Sequence, residues 1–206
     1  MIIDFSPVRN GEVRFDVFAQ QFTKEDLRAA TNASIDLLLD IIKDADDAQI
    51  VFIPHDPLAD DPHASPEERH LGWSLAHLIV HVTASAEEGA AVSSILARGI
   101  PYPRDPRLRY ETHWRTITTK AQAVQRLEES RRIRLAYLDA WPDEPHLDVL
   151  REVSDGYRER MGEQNAKAAF LGGLRHESNH YDQFRDVAQQ AREANRPAAA
   201  VAGAAD

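Results

Sequence analysis

The chain of 206 residues contains no cysteine. This absence excludes disulfide scaffolds, thiolate zinc sites and cysteine nucleophiles. The absence also fits a reducing compartment, and a cytoplasmic location is the corresponding expectation.

A long apolar run and an excess of basic residues are missing as well. No apolar stretch reaches about 18 residues, so no transmembrane helix is predicted. The 24 Lys and Arg residues against 34 Asp and Glu give a net charge of −10, and the basic residues do not cluster in the sequence. Such a chain is a poor binder of phosphate backbones. The expected partner is a small molecule, not a nucleic acid or a membrane.

Strand-like patterns are almost absent, since only residues 12–18 and 50–54 resemble strands and two short runs do not make a core sheet. Apolar residues recur instead at helical spacing, with capping residues at the expected starts. The sequence predicts an all-α four-helix bundle. Its predicted helices cover residues 23–43, 74–98, 119–141 and 158–194, the last with an irregularity at Gly172–Gly173.

Most of the eleven prolines lie between these helices, in residues 53–72 and 101–118, where their density excludes a continuous helix. We divide the chain into an N-terminal extension (1–19), a bundle domain (20–194) and a tail (195–206) that is predicted to be disordered. The extension could pack over the bundle, add a small β element or join a dimer interface.

Four of the nine histidines form two pairs at a spacing of four: His77 with His81, and His176 with His180. Side chains at that spacing share a helix face and can hold one metal ion. The competing interpretation is that these are solvated or hydrogen-bonded histidines, because two such pairs among nine histidines are only mildly surprising by chance. Spacing alone leaves both interpretations open.

The helical faces favour the metal interpretation. His176 and His180 continue the apolar stripe of their helix, and His81 lies on the inward side of its own helix. Because a buried imidazole without a partner costs about 1–3 kcal/mol, a shared cation explains three inward histidines economically. His77 lies one turn nearer the N-terminus. A position at the surface or around the ligands is as consistent with the pattern as binding of the metal by His77.

Five further side chains are noted near these pairs. Glu88 follows the first pair on the same side and is a candidate base or extra ligand. Glu177 and Asp182 flank the second pair, where a solvated helix edge is the simplest interpretation. Trp73 and Trp114 are expected to pack in the core or at its rim.

Two segments carry a resemblance to a known family. Residues 72–81 contain Trp-Ser and a histidine eight residues after that tryptophan, and residues 176–183 begin with H-x-x-x-H. Their order and spacing resemble the DinB/YfiT-like superfamily over residues 20–192. The resemblance implies an up-down-down-up bundle whose long crossover loop is residues 101–118. It also implies that one divalent metal is held by His81, His176 and His180.

The resemblance implies an activity too. The superfamily includes proteins classed as metal-dependent hydrolases, and transferases that attach low-molecular-weight bacterial thiols such as bacillithiol or mycothiol to electrophiles. The chain is therefore expected to activate such a thiol, or water, against a small electrophilic substrate, and to form a homodimer. The expected metal is Zn or Ni, with Fe, Co and Mn as alternatives.

Two other interpretations of the function stay open. One is a non-catalytic metal- or ligand-binding bundle of a stress response, and the other is a plain bundle with incidental histidines. A transferase would also need a docking surface for an anionic thiol, and Arg175 and Arg115 are the candidates for it.

Overall fold

The computed structural model describes residues 1–62 and 64–195. In these residues the chain is helical, and no strand is present; two isolated β-bridges join Arg151 to Tyr102 and to Gln164. The all-α class is confirmed. The helices are α1 (Ser6–Arg9), α2 (Phe15–Gln20), α3 (Lys24–Ile42), α4 (Asp47–Ile50), α5 (Leu75–Ala97), α6 (Lys120–Asp139), α7 (Asp155–Met161), α8 (Ala166–Ser178) and α9 (Tyr181–Ala194), with a 3-10 turn at Trp114–Thr116.

Three long helices begin where their capping residues predict. Thr23 and Thr119 cap α3 and α6, each in a reciprocal capping box. The Ser74 hydroxyl accepts a hydrogen bond from the His77 backbone N–H at the start of α5. These contacts satisfy N–H groups that the helix itself leaves unpaired. The local sequence therefore accounts for the starts of three of the four predicted helices.

The fourth predicted helix, 158–194, is wrong as a single element. Gly162 adopts a φ of +84° at the end of α7, a conformation that favours glycine. The side chain of Asn165 then starts α8 by accepting a hydrogen bond from the Ala168 N–H. The predicted irregularity at Gly172–Gly173 is wrong too, because both glycines lie inside the continuous helix α8.

A second break separates α8 from α9 at Asn179 and His180. The His180 N–H donates to the carbonyl of Glu177, three residues back, at 3.0 Å. Such a bond is typical of a tightened final helical turn. His180 therefore lies at the junction of two helices and not, as predicted, inside one.

Two glycines let α5 and α8 approach closely. A Cβ added at Gly173 would lie 2.7 Å from Cα of Ala86, and one added at Gly89 would lie 2.7 Å from the carbonyl oxygen of Ala169. Both distances are far inside normal van der Waals contact. Glycine at these positions brings together the two helices that carry the candidate histidines.

We expect Gly173→Ala to lower the free energy of unfolding by about 1–3 kcal/mol, because the added methyl group overpacks the interface. Gly172→Ala is the matched control in the same helix, since its Cβ would meet only Gln164 Nε2, at 3.9 Å. It should leave stability unchanged or raise it by up to about 1 kcal/mol through helix propensity. Urea unfolding followed by circular dichroism measures both, and equal effects of the two variants would contradict the close approach.

The N-terminal residues belong to the packed structure as two short helices. Phe5, Phe15 and Phe18 are buried in a core cluster with apolar residues of α3, α5, α6 and α8. Of the three outcomes left open for the extension, packing on the bundle is the one observed. A second core cluster is formed mainly by α3, α5, α6 and α9, and Trp73 and Trp114 pack against it.

No helix in residues 1–62 and 64–195 is both long and apolar enough to cross a bilayer. The tail predicted over 195–206 lies, apart from Asn195, outside the described residues. The up-down-down-up connectivity and the domain boundaries stay predictions.

Candidate metal centre

Three histidines meet where α5 faces the junction of α8 and α9. The ring centroids of His81 and His176 lie 4.9 Å apart, and that of His180 lies 5.2 Å from the first and 5.0 Å from the second. One donor nitrogen from each ring lies within 4.8 Å of the other two, so the group could hold a metal ion. The structure thus brings together the three residues that the resemblance singled out, although they are up to 99 positions apart in the sequence.

The facing nitrogens of His81 and His176 are both Nε2, 2.9 Å apart. In this contact the Nε2–H of one ring must donate a hydrogen bond to the Nε2 lone pair of the other. Two Nε2 lone pairs aimed at one point would instead suit a shared cation, because neutral imidazole binds metals through such a lone pair.

His180 is held in the orientation that ligation requires. Its Nδ1 lies 2.8 Å from Oε1 of Gln183, one turn further along α9. With the amide oxygen as acceptor, Nδ1 carries the proton and Nε2 keeps its lone pair. Outer hydrogen bonds of this kind fix the tautomer of metal-binding histidines.

His81 has two charged neighbours at its other nitrogen. Glu111 Oε1 lies 3.6 Å from Nδ1, and Arg109 Nη2 lies 3.0 Å from Nδ1 and 3.3 Å from the His81 carbonyl oxygen. Arg109 also pairs with Glu111. In the tautomer that frees Nε2, Nδ1 carries the proton and cannot accept a hydrogen bond from Arg109. That tautomer therefore requires Nδ1–H to point to Glu111, and Arg109 to donate to the His81 carbonyl oxygen and the Glu111 carboxylate.

The local environment favours the neutral forms of His176 and His180 and the ionised form of Glu111. Burial lowers the pKa of His176 to about 3, and the neighbouring histidines and arginines act in the same direction. Burial also lowers the pKa of His180. Burial acts to raise the pKa of Glu111, but the His81 imidazole 3.6 Å away and the charge of Arg109 hold it at about 2. Neutral histidine is the form that binds metals, so the donor set fits a divalent ion.

Glu111→Gln is expected to weaken binding of a divalent ion by about 10- to 100-fold, the usual effect of removing an acceptor behind a ligating histidine. The substitution keeps the side-chain size and removes the charge beside His81. Competition against a chromophoric chelator measures the affinity. Glu129→Gln, on the more exposed side of α6, is the control. Equal affinities of the two variants would show that the Glu111 carboxylate does not support His81.

His77 lies outside this group of three. Its ring is stacked between Trp73, at 4.3 Å, and Trp114, at 5.4 Å between centroids. Burial lowers its pKa to about 4. Trp73 also contacts His81, at 4.6 Å. The two tryptophans and His77 therefore form an aromatic wall beside the centre, which agrees with packing of the tryptophans at the rim of the core.

Glu88 does not reach the three histidines. Its buried carboxylate pairs with Arg107 and lies 3.9 Å from Arg151. The candidate role as an extra ligand is thus not supported by its position. Of the two arginines considered for an anionic thiol, Arg115 pairs with Glu68, whereas Arg175 lines a pocket that also includes His176.

The two acidic residues beside the second histidine pair differ from one another. Asp182 is exposed and pairs with Arg185, so a solvated edge is confirmed there. For Glu177 that interpretation is wrong, because the side chain is fully buried and its Oε2 lies 2.7 Å from Nη2 of Arg134. The partner comes from α6, a helix that sequence spacing could not align with Glu177.

Sequence reasoning missed Arg109, Glu111 and the orienting role of Gln183. The first two lie in the proline-rich loop between α5 and α6, where no helical period marks them. Gln183 lies three residues after His180. Residues at this spacing lie on the same side of a helix, and this was the sequence signal for a contact between them.

Comparison with known families gives one match. The sequence model described as the DinB superfamily matches residues 19–184, a range that contains all three histidines, Glu111 and Gln183. No curated protein and no solved structure matches the chain significantly.

Proposed function

The chain belongs to the DinB superfamily, and from this membership and the histidine geometry we propose that it is a divalent-metal-dependent enzyme. The proposed reaction adds a low-molecular-weight thiol, or water, to a small electrophilic substrate. The observation that carries the proposal is the convergence of His81, His176 and His180, whose donor nitrogens lie within 4.8 Å of one another. Zn or Ni is the proposed metal, with Fe, Co and Mn as alternatives.

The ligand set suits catalysis because three neutral imidazoles leave a divalent ion its full charge and leave coordination positions open. When bound, the ion supplies Lewis acidity that lowers the pKa of a water or thiol brought to it. Because the chain has no cysteine, the thiol is a cosubstrate such as bacillithiol or mycothiol.

The surrounding residues of the chain have supporting roles in this proposal. Gln183 holds the ring of His180 in the tautomer that leaves Nε2 free, and Glu111 does the same for His81 once Arg109 donates to the carbonyl and carboxylate oxygens. The aromatic wall of Trp73, His77 and Trp114 limits access of bulk water on one side of the centre. Arg109, held by Glu111 and the His81 carbonyl, places a positive charge beside the histidines, where it would favour an anionic nucleophile.

The test uses protein loaded with Co²⁺, whose absorption reports on its ligands. Addition of bacillithiol or mycothiol is expected to produce a thiolate-to-cobalt charge-transfer band, and the loaded protein is expected to accelerate thiol conjugation to chlorodinitrobenzene. His176→Ala should show neither effect. Stoichiometric metal with no response to thiols and no hydrolysis of activated esters would overturn the enzyme and support a non-catalytic metal-binding bundle.

We also propose a homodimer and a cytoplasmic location. The first follows from the family resemblance, and the second is supported by the absence of cysteine. Light scattering coupled to size exclusion tests the dimer, and a particle of 23.2 kDa would contradict it.

A further inference from the structure

A pocket of about 290 Å³ adjoins the histidine centre, since His176 and Arg109 belong to its lining. Its walls are formed by α5, α8, the loop after α5 and residues 151–164. Four arginines line it: Arg107, Arg109, Arg151 and Arg175. Among the described lining residues, Glu88 is the one acidic side chain. In a chain of net charge −10, this pocket is a local concentration of positive charge.

Several buried polar atoms in the lining have no hydrogen-bond partner within the described part of the chain. They are Ser85 Oγ, Arg151 Nε, Gln164 Oε1 and Arg175 Nε. Buried polar atoms in native proteins are nearly always paired. Four such atoms around one pocket therefore indicate that a polar ligand completes it.

The orientations of two of these side chains are fixed by contacts with other lining residues, Tyr157 and Phe15. Gln164 Nε2 donates to the Tyr157 hydroxyl at 3.2 Å, so the amide oxygen is the atom left without a donor. The Arg175 guanidinium lies over the ring of Phe15, 5.5 Å from its centroid. The pocket is thus lined by guanidinium groups together with the side-chain amide of Gln164.

Water alone would satisfy the hydrogen bonds but not the charge. Glu88 pairs with Arg107 and lies 3.9 Å from Arg151, and Arg109 pairs with Glu111 outside the lining. The excess positive charge therefore rests on Arg151 and Arg175. Planar guanidinium groups bind carboxylates through short, charge-assisted hydrogen bonds. The volume lies at the lower limit of small-molecule pockets, about 300–1,000 Å³, which suits a compact acid better than a large cosubstrate.

We propose that this pocket binds the carboxylate of a small organic acid, with the guanidinium groups of Arg151 and Arg175 as donors and the side-chain amide of Gln164 as the partner of a hydroxyl or amide N–H of the same ligand. The inference rests on the proposed function and names its substrate class. Because His176 belongs to the lining, an acid bound in the pocket lies beside the centre where the nucleophile is activated.

Isothermal titration calorimetry with L-malate, succinate, neutral malamide and inorganic phosphate tests the pocket. The titrations use the metal-loaded protein and the same protein after removal of metal, so that chelation cannot account for binding. L-malate should bind, succinate should bind more weakly because it has no hydroxyl, and malamide should not bind. Tighter binding of phosphate than of malate would overturn the assignment to a carboxylate.

Two variants test the pocket in different ways, one by removing a charge and one by filling space. Arg175→Met removes one charged donor and should weaken malate binding about tenfold or more. Arg132→Met is the matched control, since Arg132 is an exposed residue of α6 outside the pocket lining. Gly172→Leu places a side chain at the pocket wall, where an added Cβ has only Gln164 Nε2 at 3.9 Å. It should abolish binding without a change in charge.

The outcomes separate this inference from the proposed function. The proposed acid-binding role of the pocket is overturned, even if the metal is present, if the wild-type protein does not bind malate. Equal binding by Arg175→Met and Arg132→Met overturns it as well. Malate binding that needs Arg175 in a protein that never takes up metal supports the pocket and overturns the metal-dependent enzyme.

Discussion

His176→Ala is expected to abolish metal binding. The wild-type protein, purified without a tag and reconstituted with Zn²⁺, should carry about one ion per chain, as expected for a site with three protein ligands. Removal of His176 leaves two imidazoles, and His77, one turn before His81 on the same helix, is stacked between tryptophans. Elemental analysis by mass spectrometry measures the ion, and retention by the variant should be close to zero.

Two alanine variants serve as controls for this result. His55→Ala alters an exposed histidine and should keep the ion. His77→Ala alters a neighbour of the centre that is outside the group of three and should keep it as well. Equal metal contents in wild type and His176→Ala, whether both full or both empty after reconstitution, would contradict the assigned centre.

Arg134→Met is expected to lower the free energy of unfolding by about 3–5 kcal/mol, because it leaves a buried carboxylate without its counter-charge. Arg134 is 1% exposed and Glu177 is 0% exposed, and their charged atoms lie 2.7 Å apart. Arg134 Nε also donates to Ser130 Oγ at 3.0 Å, and the Tyr181 hydroxyl donates to Glu177 Oε1 at 3.2 Å. The Glu177 side chain of α8 therefore contacts both α6 and α9.

Urea unfolding of metal-free protein measures this loss without a contribution from a bound ion. Arg132→Met, two residues away and exposed, is the control and should change stability by no more than about 0.5 kcal/mol. The double variant Arg134→Met with Glu177→Leu should recover much of the loss, since replacing both members of a buried pair by apolar groups is often tolerated. A loss in Arg134→Met no larger than in Arg132→Met would refute a structural role for the pair.

The expected effects of His176→Ala and Arg134→Met both concern how the chain positions the three histidines. Glu177 directly follows His176, and its contacts with α6 and α9 anchor the last turn of α8. The close approach of α5 and α8 at Gly89 and Gly173 places His81 opposite that turn. The histidines are therefore held by packing on both sides before any ion is bound, which reduces the ordering required for binding.

Much of this protein is readable from local sequence. The caps at Thr23, Ser74 and Thr119 and the apolar stripes predict three helices, because caps and periodic faces are properties of one turn and one face. The spacing of four within each histidine pair is equally local. The resemblance then selected His81 over His77, and the structure places His81, not His77, with the second pair.

Other features depend on which distant segments pack together. Glu111 is 30 positions from His81, and Arg134 is 43 positions from Glu177, so neither contact leaves a periodic signal. The four arginines of the pocket are dispersed from Arg107 to Arg175, and the sequence showed no basic cluster. Which charged groups pair depends on which helices pack together and which side chains this packing buries. Neighbours along the chain do not determine either of these.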